Sequence, residues 1–220
     1  MNWKDISVFQ WQQLTNLFVK EKLDEFELSL KTLAICKGMT ENEVDSLSMQ
    51  ELKEKLQEIE FVHKEIEPKA EKYIKVNGRK YKCIYDVRKM PVSRYIETKY
   101  FSTDVNNNLH KIMASMVLPM KKTLLGWKVD KFDASKHEEY AQDMLEAPIT
   151  SVLGSVVFFY LVYQNWIKVS KDYLIAEMSQ KMTMEEAEAV YQTLCEISVG
   201  FTKPSWLQSM NESKYQKLMS

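Results

Sequence analysis

Ala147-Pro148-Ile149-Thr150-Ser151-Val152-Leu153-Gly154-Ser155-Val156-Val157-Phe158-Phe159-Tyr160-Leu161-Val162-Tyr163-Gln164-Asn165-Trp166-Ile167 is the longest run of the chain without a charged side chain. It is long enough to cross a bilayer. Yet Thr150, Ser151, Gly154, Ser155, Gln164 and Asn165 interrupt it, and its dense part runs only from Val156 to Tyr163. Glu146 and Lys168 flank it with no polybasic cluster, so no membrane partner is expected. We read it as a core helix, apolar all round and covered by other elements. Pro148 suits its first helical position. The helix is expected over residues 149–178, and the rest of the chain must supply its cover.

Working outward, amphipathic helices with marked starts lie on both sides. Ser7 with Gln10, Thr40 with Glu43, Ser48 with Glu51, Ser135 with Glu138 and Thr183 with Glu186 all have capping-box spacing. After Ser7, Val8, Trp11, Leu14, Leu17 and Phe18 share one helical face. A second helix fits Asp24 to Cys36 and ends before Gly38. Helix resumes near Pro91, with Val92, Tyr95, Ile96, Lys99 and Tyr100 on one face. Another carries Leu109, Ile112, Met113, Met116 and Val117 and stops by Pro119. Residues 120–133 read as a connection. A last amphipathic helix follows Thr183, and a short one near Pro204 carries Trp206.

One strand signal stands out. Tyr73-Ile74-Lys75-Val76 and Arg79 to Tyr85 flank Asn77-Gly78, the residue pair that best supplies the two positive φ angles of a tight hairpin turn. A lone hairpin is marginal and must lie on helices or on a partner. The expected fold is therefore mainly α, a multi-helix bundle with one inserted β-hairpin around Asn77-Gly78. It forms a single domain over 1–220: N-terminal helices in 1–66, a hairpin arm in 71–86 and a helical body in 91–220.

Only five Gly and five Pro occur in 220 residues, too few for a turn-rich sandwich or barrel. The net charge of −1 hides a strong segregation. Residues 1–70 carry nine Lys/Arg against fourteen Asp/Glu, 71–131 fourteen against five, and 132–220 seven against twelve. The resulting −5, +9, −5 pattern allows acidic parts to fold on the basic part, or a basic surface to meet an acidic partner. Cys36, Cys83 and Cys195 are far apart and odd in number, which reads as reduced thiols in a reducing compartment.

No catalytic, metal or cofactor motif is present in the sequence. His63, His110 and His137 have no second His or Cys at ligand spacing, and His137-Glu138-Glu139 lacks the His that zinc needs at i+4. The five glycines are isolated, so no loop cradles phosphate. Adjacent carboxylates such as Glu138/Glu139 point about 100° apart on a helix and suit a first turn better than acid–base work.

Partner-binding candidates are clearer. Lys72, Lys75, Arg79, Lys80, Lys82, Arg88 and Lys89 are interleaved with Tyr73 and Tyr81, a pattern that can hold an acidic protein or track nucleic acid. Trp3, Trp127 and Trp206 lie outside the main helical patterns and are candidate contact anchors.

In style, the chain resembles small morphogenesis proteins of tailed bacteriophages, particularly the tail-assembly-chaperone-like group. The resemblance lies in Trp3 to Val8 with the Gln/Leu-rich helix after it, in Leu33 to Thr40 with Glu43-Val44 and Leu47, in Tyr73 to Tyr81, in Ala114 to Pro119, and in Phe158-Phe159. It spans residues 1–165 in order of elements and carries no diagnostic motif. It implies non-enzymatic work by protein–protein contacts with other phage structural or tail proteins, in the host cytoplasm during assembly. The expected role is a structural component of the virion (head–tail connector, tail or packaged protein), working as a homo-oligomer. A tail assembly chaperone absent from the mature virion is the other role it implies. A nucleic-acid-binding module using the basic hairpin is the rival reading, which the resemblance does not favour.

Overall fold

The computed structural model describes residues 1–20, 23–178, 183, 185 and 186. Its elements run α1 (Val8–Lys20), α2 (Glu25–Lys37), α3 (Glu41–Asp45), α4 (Met49–Glu58), β1 (Tyr73–Val76), β2 (Arg79–Cys83), α5 (Val92–Phe101), α6 (Val105–Met116), β3 (Val117–Thr123), β4 (Gly126–Val129), α7 (His137–Glu146) and α8 (Ile149–Met178), linked by short 3-10 turns. The fold is mainly helical, as the sequence predicts, and carries one small four-stranded sheet.

Helix α8 is the axis. Ile149, Val152, Val156, Val157, Phe159, Tyr160 and Tyr163 are all buried. Among the described residues no helix is long and apolar enough to cross a membrane. Burial of one such side chain contributes about 1.5–3 kcal/mol, so this helix supplies much of the core. Gly154 has a specific reason to lack a side chain. The segment before β1 crosses α8 here, with the Lys69 amide on the Thr150 carbonyl at 3.0 Å and the Glu71 amide on Ser155 Oγ at 3.2 Å. A Cβ at Gly154 would come within 2.3 Å of the Lys69 backbone.

Local signals place the N-terminal helices. The Ser7–Gln10 reciprocal bonds start α1 (3.0 and 3.2 Å), and Ser48–Glu51 starts α4 in the same way. Asp24 caps α2, and Thr40–Glu43 caps α3. The Ser135–Glu138 box does not form. Asp133 instead accepts from the Ser135 amide and hydroxyl, and α7 starts without a side-chain cap. The Thr183–Glu186 bonds are present; the helix expected beyond them lies outside the described residues.

Three expectations about the strands need correction. Residues 120–133 are not a plain connection, because β3 and β4 form there and extend the hairpin into one antiparallel sheet of order β1-β2-β3-β4. The 71–86 hairpin is therefore no free arm, being paired along β2 with β3. Pro119, read as a stop, sits inside β3 opposite Tyr81. Its carbonyl accepts from the Asp130 amide at 2.8 Å. A residue's N–H and C=O point to the same side in an antiparallel ladder. The missing N–H of Pro119 thus falls just beyond the end of β4, and the β2 pairing keeps its bonds.

The face of α5 is also turned, with Tyr95 of the expected stripe still packed on the core. Val92, Ile96 and Tyr100 are exposed, while Arg94 (1 % exposed) and Thr98 are buried. Arg94 Nη2 donates to the Val117 carbonyl at 2.6 Å and lies 3.5 Å from that of Ala114. Its guanidinium stacks 3.9 Å over the Phe132 ring. Burial pulls its pKa down to about 10, opposed by nearby Glu97. The cation thereby holds the carbonyl end of α6 where the chain passes from helix to strand without a loop.

Candidate partner-binding face

The sheet has two faces of opposite character. On the helix side, Ile74, Tyr81 and Cys83 are buried. Asp143 of α7 gathers the first hairpin, accepting from Asn77 Nδ2 (3.0 Å), Arg79 Nη1 (3.1 Å) and the Tyr81 hydroxyl (2.5 Å). Arg79 also pairs with Glu139. Two of the predicted contact residues, Arg79 and Tyr81, therefore bind their own chain. Burial and the Asp143 carboxylate push the Tyr81 phenol well above its usual range.

The opposite face collects the others. Strand register puts Lys75 opposite Lys80 and Tyr73 opposite Lys82. Lys80 and Lys82 face Met120 and Leu118 in turn, and Lys122 faces Trp127. Alternation along the strands sets Tyr73, Lys75, Lys80, Lys82, Lys122 and Trp127 on this one side. Lys80 Nζ lies 4.3 Å from the Tyr73 ring centroid and 5.8 Å from that of Trp127. Lys72 approaches Tyr73 from the end of the strand, at 5.6 Å. Like charges directly opposite each other destabilise a sheet, and Lys75–Lys80 is such a pair. Among the described residues no carboxylate pairs with Lys75, Lys80, Lys82, Lys122 or Lys128.

The β3–β4 hairpin carries this face away from the body. Thr123 pairs with Gly126, which leaves Leu124-Leu125 as a two-residue loop. Both leucines are wholly exposed, at 106 % and 102 %. Two-residue hairpin loops favour Asn, Gly and Asp at these positions. Here neither leucine has positive φ, and Gly126 takes it instead (+112°). Turn geometry gives no reason for leucine at either place.

The remaining predicted contacts scatter. Arg88 and Lys89 both pair with Asp86, at 2.8 and 3.5 Å, and hold its carboxyl down at about 2. Trp3 donates from Nε1 to the Lys64 carbonyl at 2.9 Å and meets Phe61 edge-on, so it clasps the N-terminus to its own body. Trp206 lies outside the described residues. The sequence reading missed Leu124, Leu125 and Lys122. Two adjacent leucines between Lys121-Lys122 and Gly126 were the available signal.

No protein-family model matches the chain, and neither a curated protein nor a solved structure matches it significantly. The candidate site therefore rests on geometry alone.

A second polar cluster joins a serine, a histidine and a glutamate. Ser115 Oγ lies 3.0 Å from His137 Nε2 and 3.4 Å from Glu97 Oε2. In acyl transfer the carboxylate must orient the imidazole, whereas here it meets the serine. Ser115 is fully buried and also bonds the Lys111 carbonyl at 3.2 Å, and His137 stacks on Phe101. The cluster joins α5, α6 and α7, with Ser115 itself buried. Among the described residues no group of three or more His, Cys, Asp or Glu is arranged to hold a metal ion.

Proposed function

We propose that this protein works without catalysis, as an assembly component that grips an acidic protein surface with the outer sheet face and the β3–β4 tip. The observation that carries the reading is the pair of wholly exposed leucines on a hairpin whose lysines, Lys121 apart, meet no carboxylate among the described residues. Apolar anchors within a cationic rim suit a protein partner, which can bury the leucines and neutralise the lysines together. Nucleic acid can satisfy the lysines but offers little to two leucines. The resemblance supplies a setting, namely assembly of a tailed-phage particle as a structural component or as a transient tail chaperone.

One observation favours the rival reading. Tyr73 and Trp127 flank Lys80 on an open four-stranded sheet, an arrangement able to stack bases and track phosphates. The mass of the purified protein in solution, at low and high salt and with and without short DNA, separates the two. Salt-sensitive association that ignores DNA is the expected result. A monomer that shifts onto DNA at low salt, and is released with rising salt, overturns the acidic-protein reading.

A further inference from the structure

The N-terminal lobe offers a surface complementary to the hairpin tip. Helices α2 and α4 and the end of α1 enclose an open groove of about 820 Å³. Leu52 and Ile59 line its floor, and Phe18, Phe26 and Met49 stand exposed at its mouth. Residues 24–63, which build most of it, hold four lysines against ten carboxylates, a net −6. Glu25 and Glu60 are on the groove itself, and Lys53 lines it as well. Residues 117–131, by contrast, hold four lysines against one aspartate, a net +3. One chain thus displays an apolar tip with a basic collar and an apolar groove set in an acidic lobe. The tip leucines are wholly exposed, so its own groove does not cover them.

We propose that the Leu124-Leu125 tip of one copy seats in the α2–α4 groove of the next, joining copies head to tail. The inference rests on the acidic-protein reading above and names the partner as a second copy of this chain. Tip and groove are different patches, so the contact is heterologous. Repeated, it closes into a ring where the rotation allows, or continues as a filament. The leucines supply apolar burial, and Lys121, Lys122 and Lys128 approach Glu25 and Glu60. Such a contact weakens with salt because its charged rim is open to solvent. It is also small, so association grows with protein concentration rather than saturating at low concentration.

A mixing experiment tests the idea. One variant removes the tip (Leu124→Ser with Leu125→Ser), and a second blocks the groove (Met49→Glu with Phe26→Ser). All four positions are exposed, and circular dichroism with a melting curve confirms that both variants fold. Solution mass is then measured over a concentration series. The wild-type chain is expected to self-associate, and each variant alone to stay monomeric, its association weakened about a hundredfold or more. Equimolar mixing should restore a contact between the intact groove of the first variant and the intact tip of the second, and stop at a dimer. A wild-type monomer across the series overturns the proposal, as does a mixture that remains monomeric. Short DNA and vesicles of anionic phospholipid are run in parallel. Tip-dependent vesicle binding by a monomer would reassign the tip to a lipid surface. A monomer that ignores both probes would sink self-assembly alone and leave a foreign acidic protein as the partner.

Discussion

The two hairpins of the sheet make an instructive pair. The first, β1–β2, turns at Asn77-Gly78 with φ of 50° and 73°, as a tight hairpin requires. Its turn is then tied down, with Asn77, Arg79 and Tyr81 converging on Asp143. The second, β3–β4, turns at two leucines that stand wholly exposed, and its turn chemistry is poor. Good local chemistry and internal docking mark a structural element. Poor local chemistry with apolar side chains turned outward marks a surface kept for something else. The more hairpin-like sequence belongs to the hairpin whose turn is docked on its own chain.

The largest expected effect breaks the docked side. Asp143→Ala removes the common acceptor and leaves the buried Tyr81 hydroxyl unpaired. A loss of about 3 kcal/mol is expected in urea unfolding. Arg79→Ala, whose side chain is half exposed, should cost about 1 kcal/mol or less. Equal losses would mean that Asp143 serves Arg79 alone.

Acid should loosen the body beneath the sheet by a comparable amount. His110 is buried in α6, where Gln12 Nε2 donates to its Nδ1 at 3.2 Å, and desolvation, helped by Lys111, lowers its pKa to about 4. The unfolded chain protonates near pH 6.5. Stability from this neutral histidine is therefore complete above pH 6.5 and is lost as pH falls towards 4, with about 3 kcal/mol at stake. The urea midpoint of the wild-type chain should fall across that window, and the slope should flatten in His110→Gln. An unchanged slope would assign the acid sensitivity to other groups.

Crowding the central helix comes next. Gly154→Ala drives a methyl into the Lys69 backbone and should cost about 2 kcal/mol as the crossing segment shifts. The first turn is gentler still: Gly78→Ala forces a side chain to positive φ and should lower stability by about 1 kcal/mol. The smallest effect sharpens the contrast. Leu124→Ser with Leu125→Ser should leave stability within about 0.5 kcal/mol of wild type in the same assay. A larger loss would make the second hairpin structural after all.

Much of the helical frame was legible residue by residue. The charge-free run from Ala147 became a helix beginning at Ile149. The boxes at Ser7, Thr40 and Ser48 formed, and Asn77-Gly78 turned as expected. These signals act over three or four residues, so the sequence carries them whole. The Ser135 box failed because Asp133, two residues earlier, competed for the same groups. The site was only half readable. Lys75, Lys80, Lys82 and Tyr73 share one face by strand alternation, but nothing local tells that Trp127 and Lys122 join them.

By itself, then, the sequence determined where helices begin, which helix lies at the centre, where the first hairpin turns and how charge divides along the chain. Each follows from bonding between near neighbours, or from the cost of leaving apolar side chains in water. Only the tertiary structure decided that Val117 to Val129 forms strands, that α5 buries Arg94 rather than its apolar stripe, and that Arg79 faces inward. Strand β3 needs β2 as its partner, and Arg94 finds the α6 carbonyls only once two helices have packed. Those choices depend on groups distant in sequence, whose meeting no local spacing records.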